Sequence, residues 1–368
     1  MSKDTTMRRR ALLKTAGVGL LAATFPMPAI AQSMPELKWR LTSAVPKSLA
    51  TLYGGGERLA KNVAEATGGR FQIQCFAGGE IVPGLQAFDA VSNGTVECGH
   101  TFTSYSIGRD PSFVFGTVLP FGLNPRQTYA WLVQGDGNTL LNDFFQRHNA
   151  YAIPAGNTGV QMGGWFRKEI KEAADLSGLK MRIPGLGGQI LAKLGVVPQQ
   201  LAGGDVYPSL ERGTLDAAEW SSPIDDEKLG FVRVAKFYHF PGWWDCGTNM
   251  SLVVNLDKWR ELPAVYKAVL HQASAEVNSW MQSKYDAENP AALRRLIVAG
   301  AMLKPFPKDV MEKCFQAAQE TYAEIAATNP TFKKFLDSYS AFRRDQYAWW
   351  QVAEYSFDTF MIQQRNRL

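Results

Sequence analysis

The chain has 368 residues, of which 46% are apolar, 20% charged and 12% aromatic, with 33 glycines and 19 prolines. That suffices for two packed domains and is far too hydrophobic for a disordered protein. Lys and Arg outnumber Asp and Glu by 39 to 34, a formal net charge of +5, but the placement of the charges argues against a polyanionic partner. Lys3, Arg8, Arg9, Arg10 and Lys14 crowd the first fourteen positions beside a single acid, Asp4. Without the first 31 residues, 39 less five basic groups face 34 less one acidic groups. The remaining net charge of about +1 gives no case for nucleic acid.

An uncharged run from Thr15 to Phe25 follows the basic cluster. It is too short for a spanning helix, which needs about 20 apolar residues. Pro26, Pro28 and the small-x-small triplet Ala29-Ile30-Ala31 come next, so charged, apolar and cleavage regions stand in signal-peptide order. We expect a signal peptide over residues 1–31, cleaved before Gln32. Arg9-Arg10-Ala11-Leu12-Leu13-Lys14 resembles the twin-arginine signal, which carries folded proteins out of the bacterial cytoplasm, so the expected compartment is the periplasm. No later stretch reaches spanning length without charge. Cys75, Cys98, Cys246 and Cys314 are widely spaced, with no CxxC pair and no Cys/His ligand spacing. An oxidising compartment allows a disulfide, but buried free thiols are the expectation for a chain this long.

Strand and helix patterns then alternate. Leu37 to Thr42 reads as a strand, Ser48 to Ala66 as a helix ending before Gly68-Gly69, and Phe71, Ile73 and Cys75 alternate with Gln72 and Gln74 as a second strand. A helix over 83–92 ends at Asn93-Gly94, Val96 to Phe102 makes a strand, and helices near 126–132 and 138–148 lead to a strand at 151–155. A second series follows: strands 160–167 and 179–183, helix 186–194, strand 197–201, helix 206–212, strand 216–220 and strand 248–255. Such alternation predicts open, mostly parallel α/β sheets in two lobes. The absence of a linker between them implies several chain crossings. From Pro263, apolar residues recur at helical spacing for more than five turns, up to a break or kink at Pro290. Helices over 310–327 and from 332 to about 364 complete the chain. The last carries Phe332, Phe335, Leu336, Tyr339, Phe342, Trp349, Trp350, Ala353, Phe357, Phe360 and Met361 at three- and four-residue spacing, as core or as a partner interface.

Signatures of catalysis are missing. His100, His148, His239 and His271 form no ligand spacing, and no GxSxG, HExxH, GxxxxGK[ST] or CxxC string occurs. Gly185-Leu186-Gly187-Gly188 follows a strand and opens a helix, but Ile190 stands where a dinucleotide fingerprint needs its third glycine. Arg182, just before it, sits at the carboxyl end of a strand. There a guanidinium either grips a carboxylate through two parallel N–H bonds or faces solvent.

The string from Gly178-Leu179-Lys180-Met181-Arg182-Ile183-Pro184-Gly185, through Leu194-Gly195, to Val206-Tyr207, Gly213 and Asp216 resembles the solute-binding proteins of tripartite ATP-independent periplasmic (TRAP) transporters. An earlier match runs from Gly78-Gly79-Glu80 to Asn93-Gly94-Thr95-Val96-Glu97. The resemblance implies a two-lobed α/β periplasmic binding protein with a long inter-lobe helix and an extended C-terminal helix. It also implies capture of a small organic acid and its delivery to membrane permease subunits, with Arg182 as the carboxylate partner.

Where dicarboxylate-binding members carry a polar Gln-x-Asn-Pro-like stretch, this chain has Ala218-Glu219-Trp220-Ser221-Ser222-Pro223. A buried carboxylate there would repel an anionic ligand unless a cation intervened. The chain thus resembles the subgroup that binds 2-oxo or 2-hydroxy monocarboxylates, such as pyruvate or 2-oxobutanoate, with a metal ion. By that resemblance Gln161, Glu219 and the Trp220 carbonyl hold the ion. All-oxygen ligation suits sodium or calcium, and charge balance with one substrate carboxylate favours sodium. Phe102, Thr103, Asn157, Thr158 and Asp245 are expected at the substrate, and Trp243 and Trp244 on the far wall. Lobe I is expected over 32–156 plus 248–285, lobe II over 157–247 plus 286–330, and a dimerisation helix over 331–368, giving a homodimer. An exported enzyme or a sensor protein for a similar acid is the alternative to a receptor.

Overall fold

Period-two burial builds the first strands: in the Phe71–Phe76 segment Phe71 and Ile73 turn inward, while Gln72 and Gln74 face solvent. The computed structural model describes residues 34–367, and the expected signal peptide lies outside them. Among these residues are the strands β1 (Leu37–Ser43), β2 (Phe71–Phe76), β3 (Cys98–Thr101), β4 (Ala150–Asn157), β5 (Trp165–Phe166), β6 (Lys180–Arg182), β7 (Val197–Gln199), β8 (Ala217–Ala218), β9 (Phe237–Phe240), β10 (Asn249–Asn255) and β11 (Met302–Pro305). They form one sheet in the order β2-β1-β3-β10-β4 and a second in the order β11-β9-β5-β8-β6-β7.

The chain therefore crosses between sheets three times: from β4 to β5, from β9 back to β10, and along the helix Ala264–Val298 to β11. Both sheets are mostly parallel, as expected, and the crossings bring one reversed strand into each. β10 enters the first sheet antiparallel to both β3 and β4, and β5 enters the second antiparallel to both β8 and β9. Two expected strands are also shorter than their apolar runs. Residues 160–167 yield only Trp165–Phe166, and 216–220 only Ala217–Ala218, because Gln161, Glu219 and Trp220 leave the ladders to line a cavity.

The Ala264–Val298 helix runs unbroken through Pro290, which corrects the expected break there. Proline removes one N–H bond, but Pro290 lies on the solvent side and the helix is held on either side of it. The Tyr285 hydroxyl donates to Asp225 at 2.6 Å, the Ile224 N–H donates to Asn289 Oδ1 at 3.2 Å, and Arg295 makes two 2.7 Å bonds to Glu227. The helix buries Tyr266, Leu270, Val277 and Met281 along one stripe.

The terminal aromatic stripe divides in two. Phe332, Phe335 and Tyr339 are core: Phe335 stacks on Phe115 at 5.1 Å, Tyr339 meets Trp131 edge-on at 5.0 Å, and the Leu123 N–H donates to the Tyr339 hydroxyl at 2.7 Å. Beyond Tyr347 the side chains face out, with Trp349 63%, Phe357 61% and Phe360 56% exposed.

All four cysteines are free thiols; Cys98 and Cys314 are buried, and Cys75 and Cys246 half-buried. His100 and His239 are buried, and desolvation lowers both to about 4. They are neutral structural groups, His100 bonded to the Ala155 carbonyl and His239 accepting from the Ile170 N–H.

Candidate functional site

Parallel pairing of β6 with β8 sets Arg182 opposite Ala218, and the Glu219 N–H donates to the Arg182 carbonyl at 2.9 Å. Two adjacent strands thus end side by side on a guanidinium and a carboxylate, at the carboxyl edge where open α/β sheets bind ligands. Arg182 Nη1 donates to Glu219 Oε2 at 2.5 Å and to the Glu219 carbonyl at 2.9 Å, while Nε donates to the Leu201 carbonyl at 3.3 Å. The Trp220 ring lies under the guanidinium at 4.6 Å, adding a cation–π contact. Both side chains of the ion pair are buried.

Two of the three crossings, from β4 to β5 and from β9 to β10, meet beside this pair. The Thr158 N–H donates to the Thr248 carbonyl, and the Thr248 N–H donates to the Thr158 hydroxyl, each at 3.1 Å. Gly159 permits the close approach of the first crossing to the long helix. Its φ is +63°, and a Cβ would meet Tyr285 Cβ at 2.9 Å. Gln161 follows and enters a cavity beside Arg182 and Glu219.

Seven of the nine expected site residues line that cavity: Phe102, Thr158, Gln161, Arg182, Glu219, Trp220 and Asp245. Thr103 and Asn157 do not. The Thr103 hydroxyl donates to the Phe113 carbonyl at 2.8 Å, bracing its own loop. Asn157 bonds Asn278 Oδ1 at 2.8 Å and the Gly159 N–H at 2.8 Å, fixing the crossing to the long helix. Trp243 stacks on Phe121 and Trp244 packs on Phe306, so both are buried beside the cavity and line none of it. Ser104 and Tyr105, which continue the expected Phe102-Thr103-Ser104-Tyr105 segment, also line the cavity, with Leu52, Pro184, Ser221 and Thr248. Leu52 carried no sequence signal, being one apolar residue in an ordinary helix pattern.

Charge in the cavity is unevenly matched. Burial raises the Glu219 carboxyl well above its usual range, with Arg182 pulling it back and Asp245 pushing it further up. Burial raises Asp245 to about 7, opposed by hydrogen bonding to Glu219 and by Arg182. Two carboxyls thus face one guanidinium, and an incoming carboxylate would add a third. Another positive charge, a proton or a cation, restores balance.

The donor set fits a hard cation. Gln161 Nε2 donates to the hydroxyls of Thr158 and Thr248, each at 2.8 Å. This turns Gln161 Oε1 toward the Trp220 carbonyl at 2.7 Å and Glu219 Oε1 at 3.2 Å. In this orientation Oε1 meets acceptors alone; with the amide turned over, its N–H groups donate to the same two oxygens and both ends are satisfied. Three oxygens brought together in this way suit Na⁺ or Ca²⁺, which take oxygen ligands. Among the described residues no group of three or more His, Cys, Asp or Glu side chains is arranged to hold a metal, so this mixed amide, carbonyl and carboxylate set is the candidate. The oxygen set and the guanidinium share Glu219, an arrangement that could hold an organic acid through the acid's carboxylate and an adjacent oxygen at once.

Comparison with known proteins bears on the same region. Residues 42–329 match the family described as bacterial extracellular solute-binding protein, family 7. A monocarboxylate 2-oxoacid-binding periplasmic protein of Nostoc sp. is 46% identical over 360 residues, covering 96% of this chain and 99% of that one. A TRAP transporter solute-binding protein from Bordetella bronchiseptica, a dimer with copurified calcium and picolinate, superposes with a TM-score of 0.89 at 46% identity, over 90% of this chain and 99% of that chain. A TRAP periplasmic solute-binding protein from Pseudoalteromonas atlantica with bound sodium and pyruvate superposes at 0.85 with 34% identity, over 88% and 98% of the two chains.

Proposed function

The chain belongs to bacterial extracellular solute-binding protein family 7, the solute receptors of TRAP transporters, and on that premise we propose that it binds a small 2-oxo monocarboxylate together with a metal ion. The observation that carries this reading is the buried Arg182–Glu219 pair set against the three oxygens of Gln161, Trp220 and Glu219. The 2-oxoacid-binding relative and the pyruvate-bound neighbour support the same ligand class. Arg182 takes the ligand carboxylate, whose affinity for a fixed guanidinium offsets its desolvation. Gln161, the Trp220 carbonyl and Glu219 hold the ion, which supplies the positive charge that Arg182 alone lacks. Thr158 and Asp245 border the bound acid, and Phe102 walls it on the first-sheet side.

The charge balance bears on the ion. With Asp245 protonated, one ligand carboxylate and Glu219 balance Arg182 and Na⁺; with Asp245 ionised, the same set balances Arg182 and Ca²⁺. The neighbours with sodium and with calcium fit the two cases. We assign lobe I to residues 32–156 plus 248–285 and lobe II to 157–247 plus 286–330, which follows the division of strands between the two sheets. We assign residues 331–368 to dimerisation through the exposed Trp349, Phe357 and Phe360, which a second copy would cover. The receptor works in the periplasm and hands its ligand to the permease subunits of its transporter without altering it.

A thermal-shift panel of organic acids, each with sodium, with calcium and with chelator, tests the ligand class. Pyruvate and 2-oxobutanoate are expected to raise the melting temperature only with a cation, and the acid is recovered unchanged after incubation. Stabilisation by dicarboxylates alone, or turnover of pyruvate, contradicts the reading. Light scattering is expected to report a dimer; a monomer removes the terminal helix from any interface.

A further inference from the structure

The Gln161 amide has two opposite orientations, and only one of them satisfies both of its ends. In one, Nε2 donates to the Thr158 and Thr248 hydroxyls at 2.8 Å each, and Oε1 joins the Trp220 carbonyl and Glu219 Oε1. In the other, the amide nitrogen donates to the Trp220 carbonyl at 2.7 Å and to Glu219 Oε1 at 3.2 Å, while Oε1 accepts from both threonine hydroxyls at 2.8 Å. Only hydroxyls permit this, because each is both donor and acceptor and rotates to suit its neighbour. The front of the amide meets acceptors alone, and a cation or an N–H must lie between them.

We propose that the Gln161 amide is a reversible cap on the cation site and that Thr158 and Thr248 are the positioning residues that let it turn. With no cation, the N–H groups of Gln161 face Trp220 and Glu219 and quench the oxygen cluster. With a cation, the amide turns over, Oε1 becomes a ligand, and the threonine hydroxyls turn to accept from Nε2. The cap stops Glu219 and the Trp220 carbonyl from being buried against an unpaired oxygen. It also means that the ion competes with two existing hydrogen bonds, so the hydroxyl pair behind the amide sets the ion's affinity.

Both threonines stand at the crossings between the two sheets, where Thr158 and Thr248 also bond each other through the main chain. A change in the spacing of the crossings therefore acts directly on the partners of the amide.

This inference rests on the cation-dependent binding proposed above, and its test keeps the two apart. Pyruvate affinity of the full chain is measured by calorimetry across a calcium titration. In sodium-free buffer the wild-type affinity is expected to depend on calcium; binding there that is unaffected by calcium overturns the proposed function itself. Thr248→Val removes one side of the hydroxyl pair and is expected to raise the calcium concentration needed for half-maximal pyruvate affinity by about 10- to 100-fold, as orienting partners of metal ligands do. Thr248→Ser is expected to restore it. If the wild type requires calcium and Thr248→Val requires no more than the wild type, the hydroxyl pair does not position the amide. If Thr248→Val does not fold, the side-chain amide resonance of Gln161 decides. In ¹⁵N-glutamine-labelled protein, identified by its loss in Gln161→Glu, it is expected to shift on adding calcium and pyruvate as its hydrogen-bond partners change from carboxylate and carbonyl to hydroxyls. A resonance that stays in place while pyruvate saturates the site overturns the cap.

Discussion

Two sets of buried carboxyls lie within eight residues of each other, and they are satisfied in different ways. Glu219 pairs with the charge of Arg182 and faces a cavity. Asp225 and Asp226, at the start of the Pro223–Leu229 helix, are held by neutral donors. Asp225 accepts from Ser221 at 2.8 Å and Tyr285 at 2.6 Å, and Asp226 from Trp165 Nε1 at 2.9 Å and Tyr238 at 2.5 Å. Burial raises Asp225 to about 6 and Asp226 to about 8. The first set is built around charge and leaves room for more of it. The second is sealed in the core and anchors the loop carrying Glu219 and Trp220 to the long helix. Burial alone does not mark a binding group; an unfilled charge requirement beside a cavity does.

Neutralising the first set gives the largest effect on binding. Arg182→Met combined with Glu219→Gln removes both charges and is expected to lower pyruvate affinity by at least about 100-fold, the value of one to two charge-assisted bonds, with the fold retained by circular dichroism. Arg182→Met alone leaves Glu219 without its partner and is expected to cost about 3–5 kcal/mol of stability as well. Pyruvate affinity in the double variant equal to wild type would remove Arg182 from the site.

The second set responds in the opposite sense. Asp226→Ala strands the Trp165 and Tyr238 donors and is expected to cost about 3 kcal/mol in urea unfolding, with pyruvate affinity within about twofold of wild type at saturating cation. A selective loss of affinity without loss of stability would break the distinction between the two sets.

A smaller effect is the dependence of stability on pH. An acid whose carboxyl is raised in the folded state binds its proton more tightly there than when unfolded. Its contribution is greatest below the ordinary value near 4 and is lost as pH rises through about 6 for Asp225 and about 8 for Asp226. The melting temperature is therefore expected to fall between pH 5 and pH 8 in buffer with chelator, and Asp226→Asn to flatten the upper part of that slope. An unchanged slope in the variant would mean that Asp226 does not hold its proton in the fold.

The same contrast shows what could be read from the chain. Arg182 and Glu219 were legible because each ends a strand inside a motif whose order matches a family. Phe102 and Gln161 followed from that match, and the helices from their apolar spacing. Strand lengths were not legible, because Gln161, Glu219 and Trp220 sit in apolar runs that read as ladder and yet turn into the cavity. The antiparallel entry of β5 and β10 was hidden too: alternation of strands and helices does not record which sheet a strand joins. Leu52 and Thr248 gave no local signal, since only the meeting of remote segments brings them to the cavity. In the terminal helix one continuous stripe concealed a core half, Phe332 to Tyr339, and an exposed half beyond Tyr347, because spacing reports a face but not what covers it.

The most direct measurement is a crystal structure of the protein grown with pyruvate and calcium. The pyruvate carboxylate is expected against Arg182 and the ion among Gln161 Oε1, the Trp220 carbonyl and Glu219. Pyruvate bound away from Arg182, or bound there with no ion at those oxygens, would contradict this placement.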